Sequence, residues 1–307
     1  MKRTLTAAIL TLSATSALAN SCETVTFSDV GWTDITATTA ATTTVLEAMG
    51  YDTTTRVLSV PVTYVSLEEG DVDVFLGNWM PTMEADIAPY REKGTVDTVR
   101  ANLQGAKYTL ATNAAGAELG IKDFGSIAEH ADALDETIYG IEPGNDGNRL
   151  ILDMIAENAF GLKDFDVKES SEQGMLSQVA RLTKKDEPIV FLGWAPHPMN
   201  ANFELTYLAG GDDWFGENYG GATVYTNTRA GYVEECPNVG KLLQNLEFSL
   251  EMENEIMGAI LNDGEEASDA AKAWLAANPS VLDGWLAGVT TQDGGEALPA
   301  VKSALGL

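Results

Sequence analysis

Asp73-Val74-Phe75-Leu76-Gly77-Asn78-Trp79-Met80-Pro81 reads as a buried strand, Val72–Leu76, that ends at a glycine and presents a tryptophan just beyond it. A short apolar run closed by Gly and Pro is the mark of a strand buried on both faces. Two other segments repeat the arrangement. Gly31-Trp32-Thr33-Asp34 follows a strand-like run, Cys22–Phe27, and precedes a helical stretch, Ile35–Met49, closed by Gly50. Gly193-Trp194-Ala195-Pro196 follows the run Pro188–Leu192. Strand, glycine and tryptophan recurring between helices predict an α/β fold with largely parallel sheets. In such sheets ligands bind outside the carboxyl ends of the strands.

The same alternation fills the chain. Strands are expected at Arg56–Val60, Lys107–Thr112, Thr137–Ile141 and Phe165–Val167, with Phe203–Leu208 returning in the other direction. Helices are expected near Ser126–Leu134, Gly147–Ala159 and Ser171–Thr183, and the tail from Val239 reads as mostly helical, broken at Gly264 and Pro279. This is about twice the strand content of one small sheet, with no linker and no fixed-period repeat. The 307 residues therefore suit two lobes: 20–108 with 211–307, and 109–210. The crossings fall near Tyr108–Thr112 and Phe203–Gly210. Two α/β lobes joined by two strands enclose a cleft, and the strand pair is a natural hinge.

Composition narrows the function. Apolar residues make up 45% of the chain and mean hydropathy is −0.06, enough for a core and too little for a polytopic membrane protein. Against 46 Asp and Glu stand 18 Lys and Arg, a formal charge of −28. Such a surface repels phosphate backbones and anionic lipids, so no nucleic-acid partner is expected, while cations are attracted. Lys2 and Arg3, the short stretch Leu5–Leu18 and the small-x-small site Ala17-Leu18-Ala19 form a signal peptide, residues 1–19, cleaved after Ala19. Export permits a disulfide, and the only two cysteines, Cys22 and Cys236, are expected to pair. That bond would place both ends of the sequence in one lobe. A lipid-modified Cys22 is the rival, disfavoured by Ala19 where such a site has leucine. With two histidines and paired cysteines, no zinc or other metal site and no cofactor are expected.

Three tryptophans at three strand ends are more than core filling if they converge. Their faces carry negative potential and suit a cation that cannot hydrogen-bond well, above all a quaternary ammonium. At about 2 kcal/mol for each desolvated contact, four rings give roughly 8 kcal/mol before association costs, near micromolar affinity. Asp34 reads either as the N-cap of the following helix or as a carboxylate that balances the ligand's charge. Gly144-Asn145-Asp146-Gly147-Asn148 reads as a turn and cap, or as a loop offering Asn145 and free N–H groups to a ligand. His197 reads as a satisfied surface or loop histidine. Trp214 and Tyr219 read as hinge braces, Trp274 and Trp285 as core, and Glu247–Glu255 as a solvated helix face.

Together, Gly31-Trp32-Thr33-Asp34, Asp73 to Pro81, Tyr108, Gly144-Asn145-Asp146-Gly147 and Gly193-Trp194-Ala195-Pro196-His197 resemble the quaternary-amine substrate-binding proteins of ABC importers, in order and spacing across nearly the whole chain. The resemblance implies a two-lobe periplasmic binding protein that closes like a flytrap. It implies an aromatic box of Trp32, Trp79, Tyr108 and Trp194, with Asp34 receiving a ligand hydroxyl, Asn145 a further polar contact, and a Cys22–Cys236 disulfide. The implied partners are a methylated-amine ligand and an ABC transporter permease, with the receptor a monomer.

Asp34 would welcome the hydroxyl of choline and repel the carboxylate of glycine betaine. Choline is therefore the expected ligand, with glycine betaine, trimethylamine N-oxide and acetylcholine as alternatives. An exported choline-ester hydrolase would need a nucleophile and base, and no Gly-x-Ser-x-Gly elbow is present, so no enzyme activity is expected. A module reporting to a chemoreceptor would share the pocket.

Overall fold

The computed structural model describes residues 22–307; the expected signal peptide lies outside them. Nine strands form one hydrogen-bonded, curled sheet: β1 (Thr24–Asp29), β2 (Asp52–Val57), β3 (Val74–Met80), β4 (Val96–Asn113), β5 (Thr137–Tyr139), β6 (Asp166–Lys168), β7 (Val190–Ala195), β8 (Leu205–Tyr207) and β9 (Gly221–Arg229). Their order is β2-β1-β3-β9-β4-β7-β5-β6, with β8 on β4. Parallel pairing is confined to the two ends, β2-β1-β3 and β6-β5-β7. The middle is antiparallel, so the expected largely parallel sheet is a mixed one.

The mixture comes from two strands that the sequence pattern conceals. β4 is 18 residues long, not the six of Lys107–Thr112. Its first half pairs with β9 as far as Lys107, and its second half pairs with β7 and β8. Three register shifts between Thr98 and Ala106 break the period-two pattern that marks a strand. β9 lies where the sequence predicts no strand. Its inward positions are Ala222, Val224, Thr226 and Thr228, and buried threonines hide the apolar alternation. β2 covers Asp52–Val57 rather than Arg56–Val60, because Pro61 starts the helix Val60–Glu69 in its first turn.

The helix Thr33–Ala48 packs on β1, β2 and β3, and the C-terminal helices Leu250–Gly258, Ala267–Ala277 and Ala297–Ala304 pack on it in turn. Cys22 and Cys236 form a disulfide across 214 residues of sequence, tying the start of the first strand to the helix Pro237–Asn245. The expected helix near Ser126–Leu134 is three short pieces, Phe124–Ile127, Ala128–His130 and Ala131–Leu134. The stretch Glu247–Glu255 is not wholly solvated. The helix Leu250–Gly258 turns Met252, Glu253, Ile256 and Met257 inward, so Glu253 is buried. No described helix is long and apolar enough to cross a membrane.

A covalent loop of this length removes much chain entropy from the unfolded state, and native disulfides contribute about 2–5 kcal/mol. Cys236→Ser is expected to lower the thermal midpoint by several degrees in a scanning calorimeter. An unchanged midpoint would show that the helix Pro237–Asn245 holds without the bond.

Candidate functional site

Trp32, Asp34, Trp79, Tyr108, Ile141, Asn145 and Trp194 line one cavity with about 260 Å³ of empty space and an apolar exposed wall. All six residues singled out in the sequence meet at this cavity; Ile141 reads in the sequence only as the end of a strand.

The sheet delivers most of the rings. The strands run on through the tryptophans: Trp79 and Trp194 are the penultimate residues of β3 and β7. Tyr108 on β4 is the register partner of Trp194, and such partners project to the same face. Their rings lie 6.3 Å apart at 82°, and Trp79 meets Tyr108 at 6.1 Å and 64°. Trp32 occupies the N-cap position of the helix Thr33–Ala48. Gly147 makes room for Tyr108, since a Cβ there would fall 2.1 Å from the phenol oxygen.

Each ring is fixed from outside the box. The Trp32 indole N–H donates to Glu142 Oε1 at 2.8 Å, and the Trp79 N–H to Asp34 Oδ2 at 3.1 Å. The Tyr108 hydroxyl donates to Asn145 Oδ1 at 2.9 Å. Trp194 meets the His197 ring edge at 4.9 Å. The polar edges of Trp32, Trp79 and Tyr108 are thereby spent on protein partners.

Asp34 does not cap its helix. The helix begins one residue earlier, and the Thr33 N–H is taken by Glu172 Oε2 at 2.8 Å. Asp34 is 1% exposed and its Oδ1 has no hydrogen-bond partner. Burial, then the Glu172 charge, push its carboxyl up to about 8. Glu253 lies close enough for the Asp34 charge to raise it further, beyond the effect of its own burial. Burial also lifts Glu142 to about 7 and Asp146 to about 6. Asp34 in the cavity wall thus holds a proton near neutrality unless a positive charge arrives.

Asn145 is a true cap. Its Oδ1 accepts the Asn148 N–H at 3.0 Å as well as the tyrosine hydroxyl, and its amide donates to Asp146 Oδ1 at 3.1 Å. One amide hydrogen remains for a ligand. His197 is buried, not on the surface. Its Nδ1 accepts the Met199 N–H at 2.9 Å, and Nε2 faces Glu172 Oε1 at 3.2 Å. Neither Trp214 nor Tyr219 lines the cavity. Trp214 is half-buried against the core, and Tyr219 is exposed with the Lys107 ammonium 5.8 Å from its ring. Phe215 between them braces Tyr108 edge-on at 5.8 Å. Trp285 is core, whereas Trp274 is half-buried and donates to Glu255. Among the described residues no group of three or more His, Cys, Asp or Glu is placed to hold a metal ion.

Known proteins are similar to this chain. The family model described as the substrate-binding domain of ABC-type glycine betaine transport systems matches residues 23–277. A solved ABC-transporter choline-binding protein in complex with choline is 73% identical, with 93% of this chain and 99% of that chain covered and a TM-score of 0.92. An unliganded, semi-closed ABC-transporter choline-binding protein is also 73% identical, over 94% and 100% of the two chains, with a TM-score of 0.87. Lactococcal OpuAC, closed on glycine betaine, is 25% identical over 85% and 98%, with a TM-score of 0.77.

A carboxyl raised on folding from 3.8 to about 8 holds a proton that the unfolded chain releases, so its contribution to stability is lost as pH rises from about 4 to 8. Asp34→Asn keeps an acceptor for Trp79 and cannot ionise. Without ligand it is expected to melt above the parent protein at pH 8.5 and level with it near pH 4. A variant that melts lower at pH 8.5 would contradict this assignment.

Proposed function

Because the chain belongs to the family of substrate-binding domains of ABC-type glycine betaine transport systems, we propose that it is the receptor of an ABC importer and that its ligand is choline. The observation that carries the choice is Asp34 Oδ1, a buried acceptor without a partner in the wall of an aromatic cavity. Trp32, Trp79, Tyr108 and Trp194 enclose the trimethylammonium group, and its charge draws the proton from Asp34. The resulting carboxylate takes the ligand hydroxyl, and the free Asn145 amide hydrogen adds a donor. The 73% identical relative that holds choline supports this reading.

Glycine betaine is the second reading, since lactococcal OpuAC binds it. No Lys, Arg or His lines the cavity to meet its carboxylate. Only a protonated Asp34 could do so, by donating, and the two ligands therefore make opposite demands on one proton. Trimethylamine N-oxide lacks the ethanol arm, and acetylcholine lacks the hydroxyl.

The lobes are proposed to be 20–108 with 211–307, and 109–210, because β4 leaves the β9 ladder at Lys107 and continues against β7. The protein is proposed to act in the periplasm, after cleavage behind Ala19, as a non-catalytic monomer that delivers its ligand to a permease. His197 is engaged by Glu172 and the Met199 amide, which leaves it poorly placed as a hydrolytic base.

Titration calorimetry with choline, glycine betaine and trimethylamine N-oxide at pH 6 and pH 9 tests the assignment. Choline is expected to bind most tightly, with affinity rising toward pH 9. Betaine binding more tightly, and weakening toward pH 9, would replace choline with a zwitterion held by protonated Asp34. Trp32→Ala and Trp194→Ala should each cost at least tenfold, since one ring contributes about 1.4 kcal/mol or more. Full affinity in both variants would remove the box.

A further inference from the structure

Glu172 joins the two ends of the sheet beside the cavity without lining it. It opens the helix Glu172–Thr183, which connects β6 to β7. Its partners lie elsewhere. Oε2 accepts the backbone N–H of Thr33 at 2.8 Å, and Oε1 accepts the Thr33 hydroxyl. Thr33 is the first residue of the helix that packs on β1, β2 and β3 at the opposite end. Oε1 also faces His197 Nε2 at 3.2 Å, and because His197 Nδ1 accepts the Met199 amide, Nε2 is the nitrogen that carries the proton and donates. The His197 ring in turn rests against Trp194. One carboxylate, 1% exposed, thus runs from the Trp32-Thr33-Asp34 corner to the Trp194 corner. It sits where an anion belongs, on the N–H groups at a helix start.

Other bonds cross between the same ends, and two of the side-chain pairs among them differ in kind. The Trp32–Glu142 bond belongs to a box ring, so changing it alters the ligand contact too. The Arg149–Asp86 pair is 2.7 Å long but one-third exposed on the arginine side, where solvent screens it. Glu172 alone of the three is fully buried and off the cavity wall.

We propose that Glu172 is the positioning residue for closure. It caps the first helix of the opposite lobe and sets how firmly the cleft stays shut. As a latch it therefore scales the affinity for every ligand by one common factor, while its charge, which Asp34 feels, enters the choice among ligands separately. This proposal rests on the receptor reading above.

Glu172→Gln leaves one acceptor for three donors. Stopped-flow indole fluorescence is expected to show choline, glycine betaine and trimethylamine N-oxide all dissociating faster, glycine betaine most, because removing the charge near Asp34 also eases its ionisation. Thr33→Val, which keeps the backbone N–H and the Glu172 charge, should speed the release of all three by one common, smaller factor and add nothing in the Glu172→Gln background. Hydrogen exchange of the ligand-free protein reads the latch separately: the Thr33 amide should exchange at least tenfold faster in Glu172→Gln. Unchanged exchange in Glu172→Gln, or unequal factors for the three ligands in Thr33→Val, overturns the proposal. A parent protein that binds none of the three amines, with faster exchange in the variant, removes the receptor reading and keeps the latch.

Discussion

The hydrogen bond from the Trp79 indole to Asp34, 3.1 Å long in a wall closed to water, is the contact around which the other parts of the site are arranged. It fixes a ring on one side and leaves a carboxyl oxygen unpartnered on the other. A buried acceptor without a donor is costly, and the Glu172 charge increases the cost of ionising it. The fold sustains this with a large core, a disulfide and a helical layer behind the first helix. A positive ligand reverses the balance: the same crowding of carboxyls that disfavours an empty cavity favours an occupied one.

The long strand β4 makes the geometry possible. It is shared by the β9 ladder and the β7 ladder, and Tyr108 lies just past the exchange. That ring therefore touches Trp79 from one end of the sheet and Trp194 from the other. Trp32 completes the enclosure from a helix start, and its N–H reaches Glu142 across 110 residues of sequence. Ligand contact and cleft closure are consequently built from neighbouring bonds, with Glu172 adjoining both.

The box is legible in the sequence because its members sit at punctuated strand ends: a short apolar run, a glycine, then tryptophan. Asp34 is legible as a carboxylate beside Trp32, although its helix starts two residues earlier than the pattern suggests. β9 is not legible, because Thr226 and Thr228 fill positions where an apolar residue would have announced a strand. The first half of β4 is masked by its bulges. Glu142 stands two residues before the Gly144 turn, where a carboxylate beside a candidate ligand loop is a usable signal. Glu172 carries no such signal: an acidic residue in the first turn of a helix is ordinary, and nothing local records that its partner lies 139 residues away.

The central claim is that positive charge, rather than shape, is what the rings recognise. The most direct measurement is calorimetric titration of choline beside its neutral carbon isostere, 3,3-dimethylbutan-1-ol, which has the same outline and hydroxyl. Four aromatic contacts and an ionised Asp34 predict at least a hundredfold tighter binding of choline. Equal affinity for the two would mean that the cavity selects an apolar shape and that charge plays no part in recognition.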